Sequence, residues 1–99
     1  MRLTSRQKKI IREAVKRYFG NDAVIWLFGS RVNDEKRGGD IDILVKPGKQ
    51  INKDLFMRKI HAISAIKKEI GDRKIDLVIE HNEDRRTVVT KAHAEGMKL

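Results

Sequence analysis

Gly39-Asp40-Ile41-Asp42-Ile43-Leu44-Val45 is a run of β-forming residues interrupted twice by an acid that strands disfavour. Period-two alternation puts Asp40 and Asp42 on one face, about 6–7 Å apart along the strand. Ile41, Ile43 and Val45 then point to the opposite face and anchor the strand in a core. Lys74-Ile75-Asp76-Leu77-Val78-Ile79 repeats the anomaly, with Asp76 facing away from Ile75 and Leu77. If the two strands are neighbours, the three carboxylates converge on one patch. Taken singly, Asp40 after Gly38-Gly39 reads equally well as an exposed strand-end or turn aspartate, a reading that weakens for the Asp40–Asp42 pair and further for Asp76 within its apolar strand. Together they repel one another, and no matching cluster of cations stands near them in sequence. A divalent cation relieves that repulsion through the oxygen ligands that Mg²⁺ prefers.

Upstream lies Ala23-Val24-Ile25-Trp26-Leu27-Phe28, a continuous apolar run that reads as a buried strand, followed by Gly29-Ser30-Arg31. A strand running into Gly-Ser and a helical turn offers backbone N–H groups to an anion, with the Ser30 hydroxyl as a further donor and Arg31 as a charge. Ser30 reads equally as a simple helix cap. The short connector to Asp40 favours an antiparallel strand pair, with Gly29-Ser30 and Asp40 at the same end of the sheet. A phosphate-binding turn beside a carboxylate metal site is what phosphoryl or nucleotidyl transfer requires.

Around these segments the pattern predicts a helix over Ser5–Phe19, with Thr4 as N-cap, Gln7 as its capping-box partner and Gly20 as stop. It predicts a short helical stretch over 31–37, a turn at Lys46-Pro47-Gly48-Lys49, a helix over Asp54–Ile70 closed by Gly71, a last helix over Thr87–Glu95, and an edge strand at Met97-Lys98-Leu99. The order gives an α/β (α+β-like) chain: a small mixed sheet of three to four strands flanked by helices, residues 1–99 forming one domain.

The chain has 99 residues, no cysteine and a formal net charge of +9. Absence of cysteine excludes disulfide scaffolds, zinc-thiolate sites and cysteine nucleophiles. The longest apolar run, Ala23–Phe28, is far short of a membrane span and no leader pattern is visible, so a cytoplasmic domain is expected. Residues 1–19 are basic, with Arg2, Arg6, Lys8, Lys9, Arg12, Lys16 and Arg17 against Glu13 alone. That face suits nucleic acid, an acidic partner or phosphates, or is simply solvated; a single Trp and a single Tyr argue against a stacking platform for single strands. His61, His81 and His93 form no metal motif, and Lys67, Lys68 and Arg73 read as solvent or partner contacts.

Leu27-Phe28-Gly29-Ser30-Arg31 followed by Gly39-Asp40-Ile41-Asp42-Ile43-Leu44-Val45 resembles the Gly-Ser…Asp-x-Asp signature of the DNA polymerase beta-like nucleotidyltransferase superfamily, closest to its minimal nucleotidyltransferases. The resemblance extends through Asp76 and to the ending Ala94-Glu95-Gly96-Met97-Lys98-Leu99. It implies a palm-like core, two Mg²⁺ ions (Mn²⁺ substituting) held by Asp40 and Asp42, and Asp76 helping to hold the catalytic metal and activate an acceptor hydroxyl. It implies that Gly29, Ser30 and Arg31 bind the triphosphate. Gly39 stands where many relatives have serine, and Val32-Asn33-Asp34-Glu35 follows Arg31 where many have glycine nearby. Relatives are often paired with a helical HEPN protein, in several cases as toxin–antitoxin systems in which a tyrosine of the toxin is adenylylated.

The leading expectation is therefore an enzyme that moves AMP from ATP to a hydroxyl, with release of pyrophosphate. The resemblance implies a tyrosine of a HEPN partner toxin as acceptor. An antitoxin or complex subunit acting by binding is the alternative, and a basic nucleic-acid-binding module is the second. No membrane partner is expected, and homo-oligomerisation is open.

Overall fold

The computed structural model describes residues 3–29 and 40–99. The helical stretch expected over 31–37 lies outside the described residues. Three helices, α1 (Ser5–Phe19), α2 (Leu55–Ile70) and α3 (Thr87–Glu95), accompany four strands, β1 (Val24–Phe28), β2 (Ile41–Lys46), β3 (Ile75–Ile79) and β4 (Met97–Lys98). The sheet order is β3-β2-β1-β4. β1 runs antiparallel to β2 and β4, while β2 and β3 are parallel. This is the small mixed sheet flanked by helices that the sequence predicts, with an α+β character. No helix among the described residues is long and apolar enough to cross a membrane.

α1 begins where its capping box places it. The Gln7 amide donates to Thr4 Oγ1 at 3.0 Å and the Thr4 amide donates to Gln7 Oε1 at 2.8 Å, satisfying two of the donors that a helix start leaves open. α1 and α2 lie on one face of the sheet, where Ile11, Val15 and Phe19 meet Ile25, Leu27, Ile41, Ile43, Val45, Ala62 and Ile66. Arg58 ties the two helices, donating through Nη1 to the Tyr18 carbonyl at 2.8 Å and through Nε to the Lys53 carbonyl at 2.9 Å. α3 covers the other face, where Phe28, Leu44, Val89 and Ala92 are buried, with Trp26, Val78 and Val88 packed against them. Helices on both faces explain why β1 reads as an unbroken apolar run instead of an alternating one.

The β3–α3 connection is held by Asp84. Its carboxylate accepts the amides of His81 (3.1 Å) and Arg86 (3.2 Å) and the Arg86 guanidinium at 2.6 Å. Arg86 Nη2 also donates to the Ile79 carbonyl at 2.6 Å. Farther along α3, His93 Nε2 lies 2.7 Å from Glu80 Oε1, and its ring stands edge-on to Trp26 at 4.2 Å between centroids. These contacts fasten α3 over the sheet.

The Arg86 hydrogen bonds and the His81 amide hold the Asp84 carboxyl far below the usual carboxylate range. A lowered folded-state pKa stabilises the fold above the unfolded value of about 3.9, and that contribution is lost as pH falls toward the folded value. Asp84→Asn should therefore melt at a lower temperature than the wild type at neutral pH. The gap should hold down to pH ~5 and narrow only below pH ~4. A gap that is constant from neutral to acid pH would show that the Asp84 charge does not hold this turn.

Candidate active site

β2 and β3 are parallel neighbours in a register that sets Asp42 opposite Asp76 and Ile41 opposite Ile75. β1 adds Phe28 opposite Asp42 from the other side. A row Phe28–Asp42–Asp76 therefore crosses the sheet on the face that α3 partly covers. The next row inward is Trp26–Leu44–Val78, apolar throughout. The carboxylates occupy the first row beyond the α3 core, Asp42 half-buried and Asp76 exposed. Ile41, Ile43, Ile75 and Leu77 are buried on the opposite face, as alternation requires.

Asp40 lies one residue before β2. Across the ladder it meets Lys74, whose Nζ stands 3.7 Å from Asp40 Oδ2, and the Ile41 amide donates to the Lys74 carbonyl at 3.0 Å. The corner therefore carries Asp40 beside Lys74, then Asp42 beside Asp76. The cation was not legible as a site residue, because Lys74 reads in sequence as a plain strand entry. With more than two fifths of each side chain exposed, the ion pair itself contributes little stability. Its effect is to offset negative charge at the corner.

Gly29 closes the site from β1. Its φ is +72°, in the region where a side chain is strained. A Cβ there would overlap the Asp42 carboxylate. The end of β1 and the acid of β2 thus approach more closely than any other residue would permit, as the antiparallel pairing predicts. Ser30 and Arg31 lie outside the described residues.

A cavity of about 350 Å³ opens on this corner, with Asp42, Asp76, Phe28 and Val88 on its walls and Lys59 reaching in from α2. Lys59 had no sequence signal; helix packing alone brings it there. Among the described residues no three His, Cys, Asp or Glu side chains are gathered into a ready-made metal cage. Mg²⁺ is usually bound by one or two carboxylates together with substrate phosphates, so this donor set fits a metal that arrives with a nucleotide. The three histidines are apart, His61 stacked on Tyr18 at 5.7 Å and His93 engaged with Glu80.

A mixed sheet between helices, with acids paired across neighbouring strands next to a glycine turn, is the architecture of a nucleotidyl-transfer core. The chain matches the model of the nucleotidyltransferase domain over residues 8–98. It belongs to that family, as a minimal nucleotidyltransferase of the DNA polymerase beta-like superfamily. No curated protein matches the chain.

Two glycines separate backbone strain from the site. Gly71 has φ +102°, and a Cβ added to it would meet nothing within 4 Å, whereas Gly29 has φ +72° and the Asp42 carboxylate in the way. Gly71→Ala and Gly29→Ala should each cost on the order of 1–3 kcal/mol of stability from backbone strain. Gly29→Ala alone should also weaken metal-dependent nucleotide binding, read by calorimetry. Equal nucleotide affinity in the two variants would show that the contact with Asp42 does not shape the site.

Proposed function

We propose that this nucleotidyltransferase moves AMP from ATP to a hydroxyl on a partner protein, and that the acceptor is a tyrosine of a HEPN-type helical partner, as the resemblance implies. The observation that carries the reading is the register that sets Asp42 beside Asp76 next to Gly29. Asp40, Asp42 and Asp76 would hold Mg²⁺, which when bound supplies Lewis-acid stabilisation of charge on the phosphoryl oxygens.

In this reading the backbone at Gly29, together with Ser30 and Arg31, seats the triphosphate beside the carboxylate row. The acceptor oxygen attacks the α-phosphorus, a new phosphorus–oxygen bond forms, and the bond from the α-phosphorus to the bridging oxygen breaks. Pyrophosphate leaves. Asp76 is the exposed member of the pair and faces incoming groups, so it takes the hydroxyl proton. Phe28 and Val88 wall one side of the cavity and keep part of it apolar, which strengthens charge interactions inside.

Asp76→Asn keeps side-chain volume and removes one charge of a repelling pair. Transfer from labelled ATP to the co-expressed partner should fall at least ~100-fold. Nucleotide affinity should fall less, and the melting temperature should hold or rise slightly. A folded variant that transfers at the wild-type rate would remove Asp76 from the chemistry. If neither form transfers nucleotide while both neutralise the partner, the chain acts by binding.

A further inference from the structure

Lys59 reaches the carboxylate corner from the far side of the sheet. α2, which carries it, packs on the face that buries Ile43 and Leu77, whereas Asp42 and Asp76 lie on the α3 face. Yet Lys59, Asp42 and Asp76 line one cavity, with Ile75 and Leu77 from one face of β3 and Val78 from the other. β3 is an outer strand of the sheet, so the cavity wraps round its free edge and Lys59 enters over that edge. A second cavity of about 290 Å³ continues over Leu77, Val78 and Ile79, and Lys59 borders it as well.

The corner therefore has two ends. At one, Gly29 stands against the Asp42 carboxylate; at the other, beyond Asp76, stands Lys59. β2 lies between β1 and β3, which sets the ends at least two strand spacings of about 4.8 Å apart. With the triphosphate at the Gly29 end, the Asp76 end is left for the acceptor. Of the two cationic side chains lining these cavities, Arg86 is already held by the Asp84 carboxylate and the Ile79 carbonyl. Lys59 enters no ion pair with a described residue, Asp76 included. The ammonium and the carboxylate line the same cavity without closing on each other, which leaves room for an oxygen between them.

The chemistry asks for a cation in that place. A carboxylate is a weak base toward a hydroxyl, whose pKa is about 10 even in a phenol. The proton moves only if the charge growing on the oxygen is held. A fixed ammonium does this best where water is partly excluded, and Phe28, Val78 and Val88 wall the cavity. We propose that Lys59 is a catalytic residue of the acceptor half of the site: its ammonium donates a hydrogen bond to the acceptor oxygen and holds the negative charge that grows there as Asp76 takes the proton. This deepens the transferase reading and rests on it. The O–H bond breaks toward Asp76, the freed electron pair attacks the α-phosphorus, pyrophosphate departs, and Lys59 keeps its own proton throughout.

The test compares the wild type with Lys59→Met, which keeps an aliphatic stem and removes the charge. Calorimetry gives the affinity for a non-hydrolysable ATP analogue with Mg²⁺. Transfer from labelled ATP is then measured to the co-expressed partner, and to the same partner carrying fluorinated, more acidic tyrosines. Analogue affinity should change less than ~3-fold, because the separation of the two ends is comparable to the screening length. Transfer should fall at least ~10-fold. That deficit should shrink at least ~3-fold with the fluorinated acceptor, since a more acidic hydroxyl leans less on the ammonium. A folded variant that transfers at the wild-type rate overturns the assignment. Equal losses of analogue affinity and transfer also overturn it and put Lys59 on the nucleotide. A deficit identical for the two acceptors overturns it in favour of a structural role. A wild type that binds the analogue but labels neither acceptor contradicts the transferase reading itself, and the role of Lys59 falls with it.

Discussion

Two carboxylates held opposite each other on neighbouring parallel strands are the constraint around which this molecule is arranged. Asp42 and Asp76 repel at close range, and the repulsion grows with burial. The fold accommodates them by stopping its second core one row short. Phe28, Leu44, Val89 and Ala92 are packed under α3, while the acids stay at the rim in contact with solvent. On the reverse face Ile41, Ile43, Ile75 and Leu77 are buried under α1 and α2, which fixes both strands and hence the separation of the acids. A slip of β3 by one residue against β2 would turn Asp76 to the α1/α2 side and Ile75 and Leu77 away from it, so the apolar pattern itself specifies the register.

The surrounding contacts follow from that arrangement. Gly29 lets β1 end against Asp42 without a side chain between them. Lys74 places a positive charge beside Asp40. Asp84, Arg86, Glu80 and His93 fasten α3 over the sheet, and α3 in turn supplies the apolar wall of the cavity. The helix that lies farthest from the aspartate pair of β2 in sequence therefore determines how dry the carboxylate corner is.

Much of this architecture is legible in the chain itself. The bounds of α1 and α3 follow from the capping box at Thr4 and Gln7 and from Gly96 after Glu95, because caps are local signals. The antiparallel β1–β2 pair follows from a short connector. The adjacency of β2 and β3 is expected only conditionally, and their parallel sense is seen only in the structure, since strand neighbours across a helix are a tertiary choice. Leu44 is harder: it shares a face with Asp42 yet is fully buried, because α3 covers its row and not the next. Lys59 and Lys74 at the site are illegible, as a lysine on a helix or at a strand entry has no spacing that distinguishes it from a solvated one. The structure adds Lys74 beside Asp40, a single cation that the strand pairing brings to the corner. The roles expected of Ser30 and Arg31 concern residues outside those described.

A metal–nucleotide complex seated at the Gly29–Asp42–Asp76 corner would have a direct spectroscopic signature. Paramagnetic broadening by Mn²⁺ with a non-hydrolysable ATP analogue measures it directly. The expected result is nucleotide-dependent loss of amide signals centred on Gly29, Asp42 and Asp76, abolished in Asp42→Asn. Broadening centred on the acids around Glu80 and Asp84, or undiminished in that variant, would contradict it.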